Sequence, residues 1–177
     1  MLNAIIINSL GRLWTDLGDY GKAIDYHKQS LAIDEELGQM QGVSASLGNL
    51  GVIYYSIGEY ETAIQSHEQH LKVARKIKDI PGQGNVLGGL GLAHLALGHM
   101  RKALHCHRQH LKLAKASGDL QGQAIATGSI ANVYLTQGDL DRTLDFCGES
   151  LALSREIGYR QGGVKRVGHP RQYSFGS

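Results

Sequence analysis

Leu47-Gly48-Asn49-Leu50-Gly51-Val52-Ile53-Tyr54-Tyr55-Ser56-Ile57-Gly58 is answered forty positions later by Leu87-Gly88-Gly89-Leu90-Gly91-Leu92-Ala93-His94-Leu95-Ala96-Leu97-Gly98. In the first stretch Leu47, Leu50, Gly51 and Tyr54 fall at i, i+3, i+4 and i+7, which is one face of a helix. Gly58 then closes that helix, as a residue that reaches positive φ without a Cβ clash. The same register runs outward through the chain. One column reads Gly11, Gly51, Gly91, Ala131, and another Gly18, Gly58, Gly98, Gly138. Further columns are Ala23, Ala63, Ala103, Thr143; His27, His67, His107, Cys147; and Leu31, Leu71, Leu111, Leu151. A fixed period kept without insertion is the mark of stacked structural repeats.

Each unit holds two helical patterns. In the second unit, the second helix starts near Tyr60 and turns Ala63, Ile64, His67, Leu71 and Ala74 inward. Asp19 and Asp139 are predicted N-caps, because a short carboxylate accepts the free N–H groups of the first turn. Glu59 and His99 hold the same place with poorer capping chemistry. Gly38, Gly118 and Gly158 are expected to end second helices, with Lys78-Asp79 at that place in the second unit. Pro81 suits the start of the helix that follows. Gly11, Gly51, Gly91 and Ala131 are expected to face Ala23, Ala63, Ala103 and Thr143, letting paired axes approach closely. A larger residue at either place costs about 1–3 kcal/mol.

The prediction is an all-α solenoid of four helix–turn–helix units, about 2–41, 42–81, 82–121 and 122–161, within a repeat region 2–165 and followed by an irregular tail, 166–177. Val167 falls in the column of Leu47 and Leu87, so a partial fifth first helix is expected before His169-Pro170 interrupts it. Ile5, Ile6 and Ile7 open the array without a polar cap. Solenoids need such caps, so a truncated array is expected, with end faces that self-associate or pair with absent neighbours. The tail cations Arg160, Lys165, Arg166 and Arg171 suit an acidic surface, or simply a solvated end.

Composition narrows the function. The 177 residues are 42% apolar, enough for a sizeable core. A formal net charge of +2 is too small for a dedicated nucleic-acid surface, so no nucleic-acid partner is expected. There are 24 glycines and only two prolines, which points to close helix approaches rather than a loose linker. Cys106 and Cys147 fit neither a disulfide framework nor a zinc knuckle. A reducing, cytoplasmic setting is expected. No apolar run approaches a membrane span, and the N-terminus lacks a secretory leader pattern, so no membrane association is expected.

The columns resemble the tetratricopeptide repeat, W-x2-L-G-x2-Y followed by A-x3-F. Here it stands as Ile7-x2-Leu10-Gly11-x2-Trp14 with Ala23-x3-His27, Leu47-x2-Leu50-Gly51-x2-Tyr54 with Ala63-x3-His67, and Leu87-x2-Leu90-Gly91-x2-His94 with Ala103-x3-His107. The fourth unit departs furthest, with Thr127-x2-Ile130-Ala131-x2-Tyr134 and Thr143-x3-Cys147. The period exceeds the standard 34 residues, and the final proline is absent. The longer period and the segments Leu47–Gly51 and His67-Glu68-Gln69-His70-Leu71 are similar to a subgroup. It includes the Leu-Gly-Asn repeat scaffolds of spindle orientation and bacterial arrays fused to caspase-like or nucleotide-binding domains. The resemblance implies a right-handed superhelix whose concave groove, lined by first helices, captures peptides or partner domains.

The groove residues are then those opposite the core stripe: Asn8, Arg12 and Thr15 in the first unit, Asn49, Val52 and Tyr55 in the second, Leu92 and Leu95 in the third, and Ser129, Asn132 and Leu135 in the fourth. Gly48, Gly88 and Gly128 lie among them. Asparagine amides suit an extended peptide backbone, while Val52, Leu92, Leu95 and Leu135 supply an apolar floor. Arg12 alone does not make a carboxylate clamp, so an apolar or amphipathic helix fits better. The same glycines also suit tight curvature with no ligand. Two functions remain open: a scaffold or adaptor for a protein or peptide partner, and a regulatory ligand- or peptide-sensing segment of a larger signalling ATPase or protease. No catalytic motif is present: there is no Gly-x-Ser-x-Gly elbow, P-loop or His-Glu-x2-His. His67-x2-His70 and His107-x2-His110 have spacing that can hold zinc. However, His27, His67 and His107 occupy an aromatic column with no acidic residue, so they are expected to fill the space between helices. Neither metal nor cofactor is expected. Cys147 is expected as a small core filler in that column, and protonation of the histidines is expected to loosen packing below about pH 6.

Overall fold

A computed structural model describes residues 2–161 as eight helices: α1 (Leu2–Asp16), α2 (Tyr20–Glu36), α3 (Met40–Ser56), α4 (Tyr60–Lys76), α5 (Ile80–Ala96), α6 (Met100–Ser117), α7 (Leu120–Thr136) and α8 (Leu140–Gln161). Each helix packs on the next, giving four antiparallel pairs in line. The expected fifth first helix at Val167 and the tail 166–177 lie outside the described residues.

The turns follow from the glycine columns. At the end of α3 the Gly58 amide donates to the Tyr55 carbonyl at 3.1 Å and the Glu59 amide to the Tyr54 carbonyl at 2.8 Å. This Schellman pattern needs a left-handed residue, and Gly58 supplies φ +84°. Lys78 takes φ +57° at the place held by Gly38 and Gly118 in other units. Asp19 accepts from the Lys22 amide at 3.1 Å and Asp139 from the Arg142 amide at 3.1 Å. Glu59 and His99 make no side-chain cap bond. Asp79 and Asp119 also cap, each accepting a glycine amide at 2.9 Å, from Gly82 and Gly122. Pro81 sits in the first turn of α5. Gly158 does not end its helix: α8 continues through it to Gln161.

The glycine columns meet different partners from those expected. A Cβ placed on Gly11 would come within 2.7 Å of the His27 ring, and one on Gly51 or Gly91 would collide with His67 or His107. Ala23, Ala63 and Ala103 are buried, but it is an imidazole that fills the gap opposite the glycine. His67 is held from both sides, since a Cβ on Gly89 of the following unit would lie 2.6 Å from its Nε2. The fourth unit swaps both members, with Ala131 for glycine and Cys147 for histidine. Cys147 is exposed rather than a core filler, because no described helix covers that face of α8. Between the second and third units, Ile64 and Leu71 of α4 pack on Val86, Leu90 and Cys106, joining successive pairs into one core.

Among the described residues, α1 touches α3, α3 touches α5 and α5 touches α7, whereas even-numbered helices do not meet one another. The odd helices therefore line the inner side of a curve and the even helices splay on its outer side. Both end faces are apolar: Ile6 on α1 is 50% exposed and Leu144 on α8 is 71% exposed.

Candidate functional site

Four cavities run along the odd-helix face. The first, about 650 Å³, is lined by Asn8, Arg12, Asp34, Gln39, Gln41 and Asn49 among others. A small one of about 160 Å³ lies between Arg12, Thr15, Asn49 and Val52. The third, about 410 Å³, includes Gln41, Gly48, Asn49, His70, Asp79 and Asn85. The fourth, about 640 Å³, includes Val52, Ile80, Leu92, His110, Leu113 and Ile125. Asn49 is common to the first three and Val52 to the second and fourth, so the cavities join into one groove. It is polar toward α1 and apolar toward α7.

The structure thus brings together Asn8, Arg12, Thr15, Asn49, Val52 and Leu92 of the sequence-predicted set. Tyr55, Leu95, Ser129, Asn132 and Leu135 do not line these cavities. Tyr55 is half-buried, with its ring 5.5 Å from that of Tyr60. Leu95 and Ser129 are half-buried, and Asn132 and Leu135 are exposed on α7. The asparagines are engaged with each other. Asn49 Nδ2 donates to Asn8 Oδ1 at 3.3 Å, and Asn8 Nδ2 donates to Ser46 Oγ at 3.1 Å. This side-chain chain ties α1 to α3, and a ligand must compete with it for the Asn8 amide.

The sequence reading missed two kinds of groove residue. One is the turn N-terminal to the predicted positions, represented by Gln41, Ala45, Asn85 and Ile125. Extending the i, i+4 stripe by a turn toward the helix start finds them. The other is the pair His70 and His110, contributed by even helices. His110 is only 6% exposed, and its ring lies against Gly84 and Gly88. The ring of His70 lies against Gly48, where a Cβ would come within 2.9 Å. Their Nδ1 atoms are buried without a hydrogen-bond partner. Burial lowers the pKa of both, opposed by Asp79 near His70 and by Asp119 near His110. Their signal was the glycine column on the facing helix, which opens the wall down to the ring. Chemically the groove offers amides, one unpaired guanidinium, neutral imidazoles and an aliphatic floor. That set suits reversible binding. Among the described residues, no three His, Cys, Asp or Glu side chains gather as metal ligands, and no helix is long and apolar enough to cross a membrane.

Comparison with known proteins places this architecture. Tetratricopeptide repeat models match residues 6–41 and 42–116, adjoining blocks that together exceed half of the chain. Among solved structures, BtubC (BKLC) from P. vanneervenii superposes with a TM-score of 0.82 at 18% identity, over 96% of this chain and 67% of that one. A signal transduction ATPase with numerous domains and a tetratricopeptide repeat sensor, from Pyrococcus horikoshii, gives 0.81 at 23% identity, over 89% of this chain and 25% of that one. A Rap protein complexed with competence and sporulation factor gives 0.76 at 17% identity, over 91% of this chain and 45% of that one. The chain therefore spans a quarter to two thirds of the length of these structures. No curated protein sequence matches it. With the repeat models matched in register and eight helices paired as the forty-residue columns require, the chain belongs to the tetratricopeptide repeat family.

Proposed function

We propose that this chain is a protein–protein interaction scaffold that holds a peptide, or a segment of a partner domain, in the concave groove. The observation that carries this is the joined run of cavities from Asn8 to Ile125 on the face where odd helices touch. Concave repeat surfaces are used in this way across solenoids. The Rap protein, of the same fold, was solved in complex with a factor, which supports the reading. An amphipathic segment suits the groove best, its apolar face toward Ile80, Leu92 and Ile125 and its polar end toward Arg12 and Asn49. Both thiols are free, in keeping with a reducing, cytoplasmic setting. No catalytic step is assigned.

A regulatory reading stands beside it. The likeness to the sensor repeats of the Pyrococcus ATPase favours a ligand- or peptide-sensing segment of a larger signalling ATPase or protease. A flanking coding region for such a catalytic domain supports this second reading, and a stable complex of the chain alone with a helical peptide supports the first. The test of the groove itself uses the purified chain as bait, with partners identified by mass spectrometry. Arg12→Glu and Leu92→Asp are each expected to weaken the captured partner at least tenfold. Unchanged affinity in both rejects the groove.

A further inference from the structure

We propose that the third repeat carries a second binding site, a pocket between α4, α5 and α6 that takes a phosphoryl group. The cavity measures about 360 Å³ and is lined by Glu68, His94, Arg101, Lys102, His105 and Cys106. It shares no lining residue with the groove cavities.

The case rests on what the same place looks like in the first and fourth repeats; the second has Thr62 there and no cation. In the first unit Lys22 sits 2.8 Å from Asp19 and 4.0 Å above the Trp14 ring. In the fourth, Arg142 pairs with Asp139 and lies 4.4 Å from the Tyr134 ring. Tyr134 in turn stacks on Phe146 at 5.6 Å and accepts a hydrogen bond from Arg108 Nη2 at 2.8 Å. In those units the cation at this place is neutralised and rests on an aromatic ring. The third unit keeps the cation, Lys102, and removes every partner. Asp19 and Asp139 become His99, the ring of Trp14 or Tyr134 becomes His94, and Tyr26 or Phe146 becomes Cys106. Smaller side chains replace the aromatic filling, and the space opens.

What remains is a pocket lined by two cations, Arg101 and Lys102, and one carboxylate, Glu68, with no ion pair between them. Neither Arg101 nor Lys102 is in an ion pair with a described residue, unlike Lys22 with Asp19 and Arg142 with Asp139. His94 is 9% exposed, and its Nδ1 is buried without a partner. Its ring lies 5.7 Å from that of His99, which stands at the N-cap position of α6 without a side-chain cap bond. His105 is bonded to Gln109 at 2.8 Å. Burial lowers the His94 pKa, with Lys102 and His99 acting in the same sense and Glu68 against them. An entering dianion reverses that balance, because it favours an imidazolium beside it. A guanidinium grips a phosphoryl group with two parallel N–H bonds and an ammonium adds a point charge, so two cations match a dianion. Glu68 on α4 is the single opposing charge lining the pocket.

The experiment follows the imidazole NMR signals of the full chain at pH 7 and constant ionic strength. Inorganic phosphate and phenyl phosphate are titrated in separate arms, with chloride as the control. Saturable shifts at His94 and His99 are expected with phosphate and absent with chloride. Arg101→Met and Lys102→Met are each expected to weaken binding at least tenfold, while Lys115→Met leaves it unchanged and Glu68→Gln tightens it. Tighter binding of phenyl phosphate assigns a carried phosphoryl group; equal binding assigns free phosphate. Absent saturation in both arms overturns the site, as does equal weakening by Lys115→Met. Leu92→Asp in the groove leaves phosphate binding intact, so failure of the groove reading and failure of this one are separable.

Discussion

Gly91 and Gly148 both sit inside helices, yet alanine is expected to act in opposite senses at the two. At Gly91 the new Cβ collides with the His107 ring, whereas nothing lies within 4 Å of one at Gly148. Gly91→Ala is therefore expected to destabilise by about 1–3 kcal/mol. Gly148→Ala is expected to stabilise by about 0.5–1 kcal/mol, since alanine loses less backbone freedom. Urea unfolding of the two variants measures both. In a His107→Cys background, which copies the Ala131 and Cys147 pairing, the Gly91→Ala penalty is expected to fall by more than half. The buried imidazoles also set an acid limit. Burial lowers His67 and His107 to about 4, each with a neighbouring histidine, His70 or His110, pushing the same way. Because the unfolded chain takes up these protons first, stability is intact above about pH 6.5 and is lost as pH falls toward 4. The loss is roughly 1.4 kcal/mol per pH unit for each histidine. Unfolding midpoints at pH 7, 5.5 and 4.5 test this slope. The expected onset near pH 6 was legible from the residue type alone. The lower pKa of the folded state was not, because it depends on which side chain stands opposite each glycine.

At the scale of the helix, the turns between elements explain most of what could be read in advance. Gly18, Gly58, Gly98 and Gly138 all take positive φ, as their column required. The capping aspartates Asp79 and Asp119 were not legible from the columns of Asp19 and Asp139, because they stand at the other turn of each unit. The Asp-x-x-Gly spacing before α5 and α7 was the signal. Asp119→Ala is expected to cost about 0.5–2 kcal/mol through loss of the bond to the Gly122 amide. Lys78 holds a left-handed conformation without being glycine. Lys78→Gly is expected to raise stability by up to about 1 kcal/mol, as strain relief exceeds the added freedom of the unfolded chain. Thermal unfolding distinguishes the two substitutions by the sign of the shift. Gly158 shows the limit of such reading: with no following helix described against α8, glycine at that column does not compel a stop.

Over the whole molecule, the period of forty fixes which helices share a face, and the curve follows from odd helices touching where even ones do not. The groove was legible to the extent that its wall repeats: Asn8, Arg12, Asn49, Val52 and Leu92 stand on that face because their columns do. Its floor was not, since His70 and His110 reach it from the even helices through gaps left by glycine. Nor was the third-repeat pocket, which stands out by contrast with the ring-backed, paired cations of the first and fourth units. Both end faces carry exposed apolar residues, Ile6 and Leu13 on α1 and Leu144 and Leu151 on α8. Concentration-dependent association is therefore expected, and sedimentation as a monomer across a wide concentration range argues against it. The central claim, that the inner wall of the curve receives a guest, is tested most directly by amide hydrogen exchange of the chain with and without a captured partner. The account predicts added protection along α1, α3, α5 and α7, strongest around Val52 and Leu92. Protection confined to α2, α4, α6 and α8 contradicts it.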